Sequence, residues 1–240
     1  MTMQEWLPSL CFAESQASRL KPLLPIKPDW VGARILLQLS FAPLPGFGAR
    51  TQVTSIDSLN QRRSVPSRQL GPPGPTVAQI DELLHAAIRV PDHGKLVPWR
   101  LLLIRADARA RLGALLADLH ARKEPDIAPA ALDKDRMRFN HAPLIVAVIA
   151  RIEDDHPKIP AQEQLLSAGC VAYNLLLGAQ AQGFGAQWLT GWAAYDPDVA
   201  TLLGLGHGER VIGFVHVGTA KEPAPERNRP ALGEVVSEWP

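Results

Sequence analysis

The segment that most constrains the fold is Pro143 to Ala150, PLIVAVIA, in which every residue is apolar. A strand with one face in water alternates apolar and polar positions, and this segment has no polar position to turn toward solvent. It therefore predicts a central strand that is covered on both faces, within a layered domain.

Three helices are predicted around this strand. Thr76 precedes apolar positions at helical spacing and is a candidate N-cap for a helix that stops before Pro91. Asp107 is predicted to cap an amphipathic helix that reaches about Arg122. The long segment Glu163 to Gln182 is apolar nearly all round, which predicts the core helix of the domain or of a dimer interface.

The remaining elements are shorter, and the strands are unevenly spaced between helices. This mixture predicts an α+β fold. The predicted helices are Ile56 to Arg63, Ala130 to Asn140 (basic on one side) and Pro197 to Leu203. The predicted strands are one opened by Pro98 that runs through Leu101 to Ile104, then Ala186 to Thr190 and Val211 to Val217.

Residues 1 to 54 differ from the rest because prolines interrupt every periodic pattern there. We expect an irregular, disordered N-terminal extension, followed by the folded domain at residues 55 to 240. A dispensable extension is the simpler interpretation. The many aromatic residues of this segment leave a targeting peptide or a docking arm as the alternative.

Composition excludes several classes of protein. With 240 residues, 46% hydrophobic content and a net charge of +1, the chain suits one globular domain without bulk attraction to nucleic acid. No apolar run approaches the ~20 residues that cross a bilayer, and the first ten residues lack a signal-peptide pattern. Cys11 and Cys170 lie far apart, which indicates neither a disulfide framework nor a metal site. We expect a cytoplasmic protein that binds no membrane.

Arg62, Arg63 and Ser64 form the densest basic cluster, at a predicted helix end that enters a Pro/Gly-rich loop. Guanidinium forks beside a hydroxyl suit a phosphate monoester, because each fork donates two hydrogen bonds to the dianion. Taken alone, the cluster is more simply a solvated helix end.

A second cluster contains Arg89 and His93 and leads to Pro98-Trp99, immediately before a predicted strand. Taken alone, His93 is more readily a capping or packing residue than a binding residue. The order of the two clusters along the chain is more informative than either cluster alone.

In that order they resemble the nitroreductase family of FMN oxidoreductases, particularly its small single-domain members. The resemblance covers about residue 55 to the C-terminus and leaves the first segment unexplained. Further matching segments are Ala142 to Ile145, Ser167 to Gly169, Ala181 to Gly185, Trp188 to Gly191, Ile212 to Phe214 and Val217 to Thr219.

The resemblance implies an α+β fold whose central sheet is mostly antiparallel and flanked by helices, in an intertwined homodimer holding FMN at its interface. Arg62, Arg63 and Ser64 would bind the FMN phosphate and neighbouring oxygens. Arg89 and His93 would reach the flavin from the other subunit. The other implied contacts are Trp188, Leu189 and Thr190, at the isoalloxazine edge or ribityl chain, and Arg229, at the phosphate.

The chain departs from the family pattern at two places. Many relatives carry a basic residue two positions after the serine, facing the flavin pyrimidine, and here that position is Pro66. Many also carry an Asn/Gln-rich loop before the Pro-Trp pair, where this chain has Gly94 to Val97. The sequence therefore leaves open which group faces the pyrimidine edge.

The implied activity is hydride transfer from NADH or NADPH, through the flavin, to a nitroaromatic, a quinone or a similar electron-poor small molecule. No catalytic side chain is required, because the flavin carries the chemistry and the protein supplies position and electrostatics. Positive groups near flavin N1 and O2 would raise its reduction potential. The alternative is an FMN-binding sensor or storage protein without turnover.

Two other classes are set aside. A hydrolase would use Cys170 or Ser167, but Cys170 lies among apolar residues, which predicts a buried, inert thiol. Gly204, Gly206 and Gly208 lack the strand-turn-helix setting of a dinucleotide-binding fingerprint and are predicted to form a turn.

Overall fold

The computed structural model describes residues 56–239, so the predicted extension over residues 1 to 54 lies outside the described residues. The helices are α1 (Ile56–Gln61), α2 (Val77–Ala87), α3 (Asp107–Lys123), α4 (Pro129–Met137), α5 (Ala161–Ala181), α6 (Pro197–Leu202) and α7 (Leu232–Val235). The strands are β1 (Leu70–Gly71), β2 (Trp99–Arg105), β3 (Leu144–Arg151), β4 (Gly185–Leu189) and β5 (Glu209–Ala220).

The strands form one antiparallel sheet in the order β1-β5-β3-β2, and β4 also pairs with β5. In the centre, Ile145 of β3 lies opposite Ile104 of β2 on one side and His216 of β5 on the other. The predicted α+β fold with an antiparallel central sheet is confirmed. The two-residue strand β1 was not predicted, because its pairing with β5 leaves no periodic pattern in so short a segment.

Strand β3 is covered on both faces, as its apolar sequence predicts. Alternate side chains enter two separate cores, one beneath α2 and α5 and the other beneath α3 and α6. Burying each of the larger aliphatic side chains contributes about 1.5–3 kcal/mol. Leu144, Val146, Val148 and Ala150 face the first core, and Ile145, Ala147 and Ile149 face the second.

Of the two predicted N-caps, Thr76 is confirmed and Asp107 is not. Thr76 forms a capping box, in which its hydroxyl accepts from Gln79 N at 3.3 Å and its N–H donates to Gln79 Oε1 at 2.9 Å. Asp107 is not the N-cap of α3, because Ala106 takes that position with φ 49°. Strand β2 ends at Arg105, so a single residue reverses the chain and Asp107 is already in the first helical turn. Its carboxylate still interacts favourably with the helix dipole there.

Helix α5 has one buried side and one apolar side at the surface. Ala168, Val171 and Leu175 are fully buried against the sheet, whereas Leu166 is 61% exposed and Tyr173 is 41% exposed. The prediction of an apolar core helix is therefore met on one face. The other face presents apolar side chains to solvent, as an interface helix does. No helix between residues 56 and 239 is both long enough and apolar enough to cross a membrane.

Candidate functional site

The loop from Arg62 to Arg68 is fixed along strand β4. Val65 N–H donates to Ala186 O at 3.0 Å, and Ser67 N–H donates to the Gln187 side-chain oxygen at 2.5 Å. Val65 is buried, so the loop cannot leave the strand without exposing apolar surface and freeing a backbone donor. The loop therefore runs beside β4 in the same order, with its basic start near Ala186.

At this start, the Glu226 carboxylate lies between two arginines. Arg63 forms an ion pair with Glu226, and Arg229 Nη2 is 3.9 Å from the other carboxylate oxygen. The pKa of Glu226 is lowered chiefly by the backbone N–H of Arg227, with both arginines adding to the effect. The tertiary structure thus brings Arg63 and Arg229 to one oxyanion although they are far apart in the sequence.

Arg62 and Ser64, the other members of the cluster predicted from the sequence, are in contact with each other. Arg62 Nη1 donates to Ser64 Oγ at 3.3 Å, which places a guanidinium and a hydroxyl next to each other at the surface. Arg63 Nη1 also donates to Asn60 O at 2.7 Å, so its orientation is fixed by the last turn of α1. Of the predicted cluster, the structure thus shows Arg62 in contact with Ser64, and Arg63 held by Glu226 and Asn60.

The far end of the loop borders a cavity of about 460 Å³. Among the described residues that line it are the cations Arg68, Lys134 and Arg138, and none is a carboxylate. Such a lining favours an anion. The full lining is Pro66, Ser67, Arg68, Lys134, Met137, Arg138, His141, Gln187 and Leu189.

The buried carboxylate of Asp135 lies next to this cavity and accepts hydrogen bonds from three side chains, one of which, Arg138, lines the cavity. Asp135 is 2% exposed and accepts from His120 Nδ1 at 2.6 Å, Trp192 Nε1 at 3.0 Å and Arg138 Nη2 at 2.9 Å. Burial alone would raise the pKa of Asp135, but these hydrogen bonds outweigh burial and lower it. Asp135 is thus an anion that ties α3, α4 and the segment after β4 together.

Arg138 is held against the backbone that follows β4. The φ of 67° favours glycine at position 191, and a Cβ atom there would lie 2.8 Å from Arg138 Nη1 and would displace the end of that side chain. The Arg138 side chain is 18% exposed, and it both pairs with Asp135 and lines the cavity. It is a positioned cation rather than a mobile surface charge.

His216 lies buried beneath the same region. It is 1% exposed, its ring stacks on Phe139 with centroids 5.7 Å apart, and neither ring nitrogen has a hydrogen-bond partner among the described residues. Burial, with smaller contributions from the nearby charges of Arg138 and His141, lowers the pKa of His216 to about 4. His216 is therefore neutral at pH 7.

The Arg89–His93 turn is fixed on helix α5, away from the cavity. Asn174 Nδ2 donates to Arg89 O at 3.1 Å, and His93 Nδ1 lies 2.7 Å from a carboxylate oxygen of Glu163. Within one chain, neither Arg89 nor His93 lines the cavity that contains Arg138. Their predicted reach to a flavin from the other subunit stays a prediction.

Strand alternation separates the predicted residues of β4. Leu189 and Gln187 face the cavity, whereas Trp188 faces the opposite side, where its Nε1 donates to Ile212 O at 3.2 Å. There Trp188 lines a second, apolar cavity of about 800 Å³ together with Leu166 and Tyr173 of α5. Thr190 follows directly after β4, half-buried. Leu189 therefore shares a cavity with the basic loop, whereas Trp188 shares the other cavity with the exposed face of α5.

Sequence reasoning missed the contributions of Asp135 and Arg138. The available signal was the basic side of the segment 130–140, which contains both residues. Nothing in that segment showed that the chain returns at Gly191 and Trp192 to complete the cluster.

Other expectations concerned the hydrolase and the glycine turn. Cys170 is exposed on α5, which corrects the prediction of a buried thiol. Ser167 Oγ donates to Pro91 O at 2.6 Å, so its proton serves a structural bond. Gly204 and Gly208 have φ of 66° and 72° in the connection between α6 and β5, which confirms a turn.

The structure is a layered α+β domain in which the Arg62–Arg68 loop lies beside β4, with an arginine cluster at its start and a basic cavity at its far end. We call the surface between these two ends the groove. The model of the nitroreductase family matches residues 59–219. An Escherichia coli K12 protein named "Putative NAD(P)H nitroreductase YdjA" is 35% identical over 165 residues, covering 69% of this chain and 87% of that protein. A Haemophilus influenzae protein named "Putative NAD(P)H nitroreductase" is 35% identical over 170 residues, covering 71% and 90%.

Solved structures agree on the fold. A nitroreductase-like family protein from Bacillus cereus has a TM-score of 0.63 at 25% identity, covering 80% of this chain and 99% of that chain. A nitroreductase from Lactococcus lactis, solved with nicotinic acid, has a TM-score of 0.62 at 18% identity, covering 77% and 99%. The chain belongs to the nitroreductase family. This confirms the predicted family and, with it, the predicted class of oxidoreductase.

Proposed function

We propose that this protein is an FMN-dependent oxidoreductase that works as a homodimer in the cytoplasm. It passes hydride equivalents from NADH or NADPH to a nitroaromatic, a quinone or a similar electron-poor small molecule. FMN supplies the redox chemistry when bound, accepting and donating hydride. The chain binds the flavin, orients it and provides its electrostatic environment.

The observation that carries this proposal is the shared carboxylate of Glu226 between Arg63 and Arg229. A carboxylate held by two guanidiniums stands in chemically for the oxygens of a phosphate monoester. Arg62 and Ser64, which are hydrogen-bonded to each other and flank Arg63 in the chain, add a third guanidinium and a hydroxyl. The donor set therefore fits the phosphate of FMN.

The length of the groove, measured along β4 from Ala186 to Leu189, also supports FMN as the ligand. The phosphate-type donors lie near Ala186, and the basic cavity lies beside Leu189, three residues further along β4. Three residues of strand span roughly 10 Å. A ligand with a phosphate at one end and a polar ring at the other suits two such ends. A similar fold is known with this cofactor bound, since a putative nitroreductase from Desulfovibrio desulfuricans, with a TM-score of 0.61, was solved in complex with FMN.

A homodimer is favoured by the exposed face of α5. Leu166, Cys170 and Tyr173 line one open apolar cavity with Trp188, and monomeric proteins seldom leave such a surface to water. In the proposed dimer, a second copy covers this face. Its Arg89–His93 turn, fixed to its own α5, then approaches the first subunit.

The absorbance spectrum of the purified protein tests the cofactor. We expect a yellow protein that releases FMN on heating and bleaches with NADH or NADPH under nitrogen. Colour without bleaching would identify a flavin sensor or store instead. A colourless protein that does not take up added FMN would reject the proposal.

A variant pair tests the phosphate site. Arg62→Ala combined with Ser64→Ala is expected to lose bound FMN while keeping the far-UV circular dichroism of the native fold. Arg111→Ala is the matched control, because Arg111 is an exposed arginine on α3, outside the groove. Retention of flavin by the double variant at the level of Arg111→Ala would remove this site assignment.

A further inference from the structure

We infer that Arg138 is the cation that faces the N1 and O2 edge of the flavin and sets its reduction potential, and that Asp135 positions it. This inference rests on the proposed function, because it assumes FMN in the groove. It adds a specific redox-tuning contact from α4 to the binding contacts of the Arg62–Ser64 loop.

The placement follows from the two ends of the groove. The end near Ala186 carries the oxyanion receptor made by Arg63 and Arg229, which suits the phosphate. If the phosphate lies there, the ring system extends along β4 toward Leu189. Arg138 lines the cavity at that end.

The polar edge of the ring is the part of FMN that requires a donor there. Taking up two electrons and one proton leaves reduced FMN with one more negative charge, shared by N1 and O2. A fixed cation next to that edge stabilises the reduced form more than the oxidised form. The result is a higher reduction potential.

Arg138 has the geometry for this role. Its Nε and Nη2 atoms point to Asp135 Oδ1 at 3.3 and 2.9 Å. Its Nη1 lies on the side of Gly191, and within residues 56–239 no hydrogen bond of the structure uses it as a donor. The guanidinium is thus anchored through Nε and Nη2, and Nη1 is the nitrogen that we assign to the ligand.

Asp135 holds the Arg138 guanidinium in this position. It is 2% exposed and also accepts from His120 and Trp192, so it cannot rotate away with Arg138. Because its charge is fixed behind the guanidinium, Arg138 loses little conformational entropy when a ligand binds. Lys134 lines the same cavity but forms no ion pair with a described residue, so it is less strongly positioned.

The experiment measures the FMN reduction potential and the dissociation constant of oxidised FMN for the wild type and three variants. Arg138→Gln removes the charge. Arg136→Gln is the matched control, since it removes an equal charge two residues away, from an exposed side chain paired with Asp133. Arg138→Met is an uncharged variant that carries the test where Arg138→Gln does not fold.

For Arg138→Gln we expect oxidised FMN to bind within about threefold of wild type, while reduced FMN binds about tenfold more weakly or worse, as for loss of one charge-assisted hydrogen bond. The potential shifts to more negative values by the corresponding amount. Arg136→Gln is expected to match the wild type in both measurements.

Three outcomes overturn the inference. Equal potentials in Arg138→Gln and Arg136→Gln would show that Arg138 does not face the ring edge. Equal losses of oxidised and reduced FMN would place Arg138 at the phosphate instead. A wild-type protein that binds no FMN would reject the proposed function and this inference together, whereas the first two outcomes leave the proposed function intact.

Discussion

Arg63 and Glu226 form an ion pair between the loop after α1 and the C-terminal tail, and Arg229 approaches the same carboxylate at 3.9 Å. The pair is partly solvated, with 29% of the Arg63 side chain and 58% of the Glu226 side chain exposed. An anionic side chain therefore lies at the position that we propose for the phosphate of FMN. In the proposed complex, Glu226 would compete with the FMN phosphate for the same arginines.

Removing this competitor is expected to tighten FMN binding. Glu226→Gln should lower the dissociation constant of FMN about two- to fivefold at low salt, as expected for an exposed ion pair, and less at high salt. Quenching of FMN fluorescence on titration measures it. Glu234→Gln on α7, also exposed, is the charge-matched control. Weaker binding by Glu226→Gln would show that Glu226 orders the arginines rather than competing.

The buried His216 is expected to make the protein sensitive to acid. Its folded pKa of about 4 lies below the ordinary 6.5, so its contribution to stability is complete above pH 6.5 and is lost as the pH falls toward 4. At 1.36 kcal/mol per pH unit, the loss is about 3 kcal/mol. Urea unfolding of the wild type and His216→Leu at pH 7 and pH 4.5 measures it. The leucine variant should lose less stability in that window.

His207→Gln is the control for this measurement. His207 is exposed in the turn before β5, so its replacement should leave the acid sensitivity of the wild type unchanged. If His216→Leu and His207→Gln lose stability in parallel between pH 7 and pH 4.5, the acid sensitivity arises elsewhere.

Asp135 is expected to be the most costly acidic residue to remove from α4. Asp135→Ala leaves Arg138 and Trp192 with unpaired donors near a buried position, so we expect the free energy of unfolding to fall by about 3–5 kcal/mol. Thermal or urea unfolding measures it. Asp133→Ala removes an exposed carboxylate two residues away and should change stability by about 0.5 kcal/mol or less. Similar losses in the two variants would contradict the role of Asp135.

The exposed face of α5 is expected to form the dimer interface. Leu166→Lys places a charge on that face and should raise the dimer dissociation constant by about thirtyfold or more, because an unpaired charge is costly at an apolar interface. Light scattering after gel filtration measures the oligomeric state. Leu115→Lys on α3, which covers the other face of the sheet, is the control and should remain dimeric. Dissociation of the control alone would place the interface on α3.

Local patterns predicted much of the fold because their causes are local. The apolar run of β3 required cover on both faces, and Thr76 with Gln79 completed a capping box within four residues. The predicted cap at Asp107 was wrong because the cap position depends on how closely β2 precedes α3. The order of short motifs was enough to indicate the family, which the comparisons confirmed.

By itself, the sequence determined the α+β class, the central strand, the long apolar helix and the basic cluster of Arg62 to Ser64. Only the tertiary structure decided that Glu226 joins Arg63 to Arg229, that Trp188 and Leu189 face opposite ways across the sheet, and that Asp135 meets Trp192 from 57 positions earlier in the chain. Periodicity and capping depend on neighbouring residues, whereas the charge around a cavity depends on strand register and on which distant loops the sheet brings together. The electrostatic character of the site therefore becomes visible only when the chain is folded.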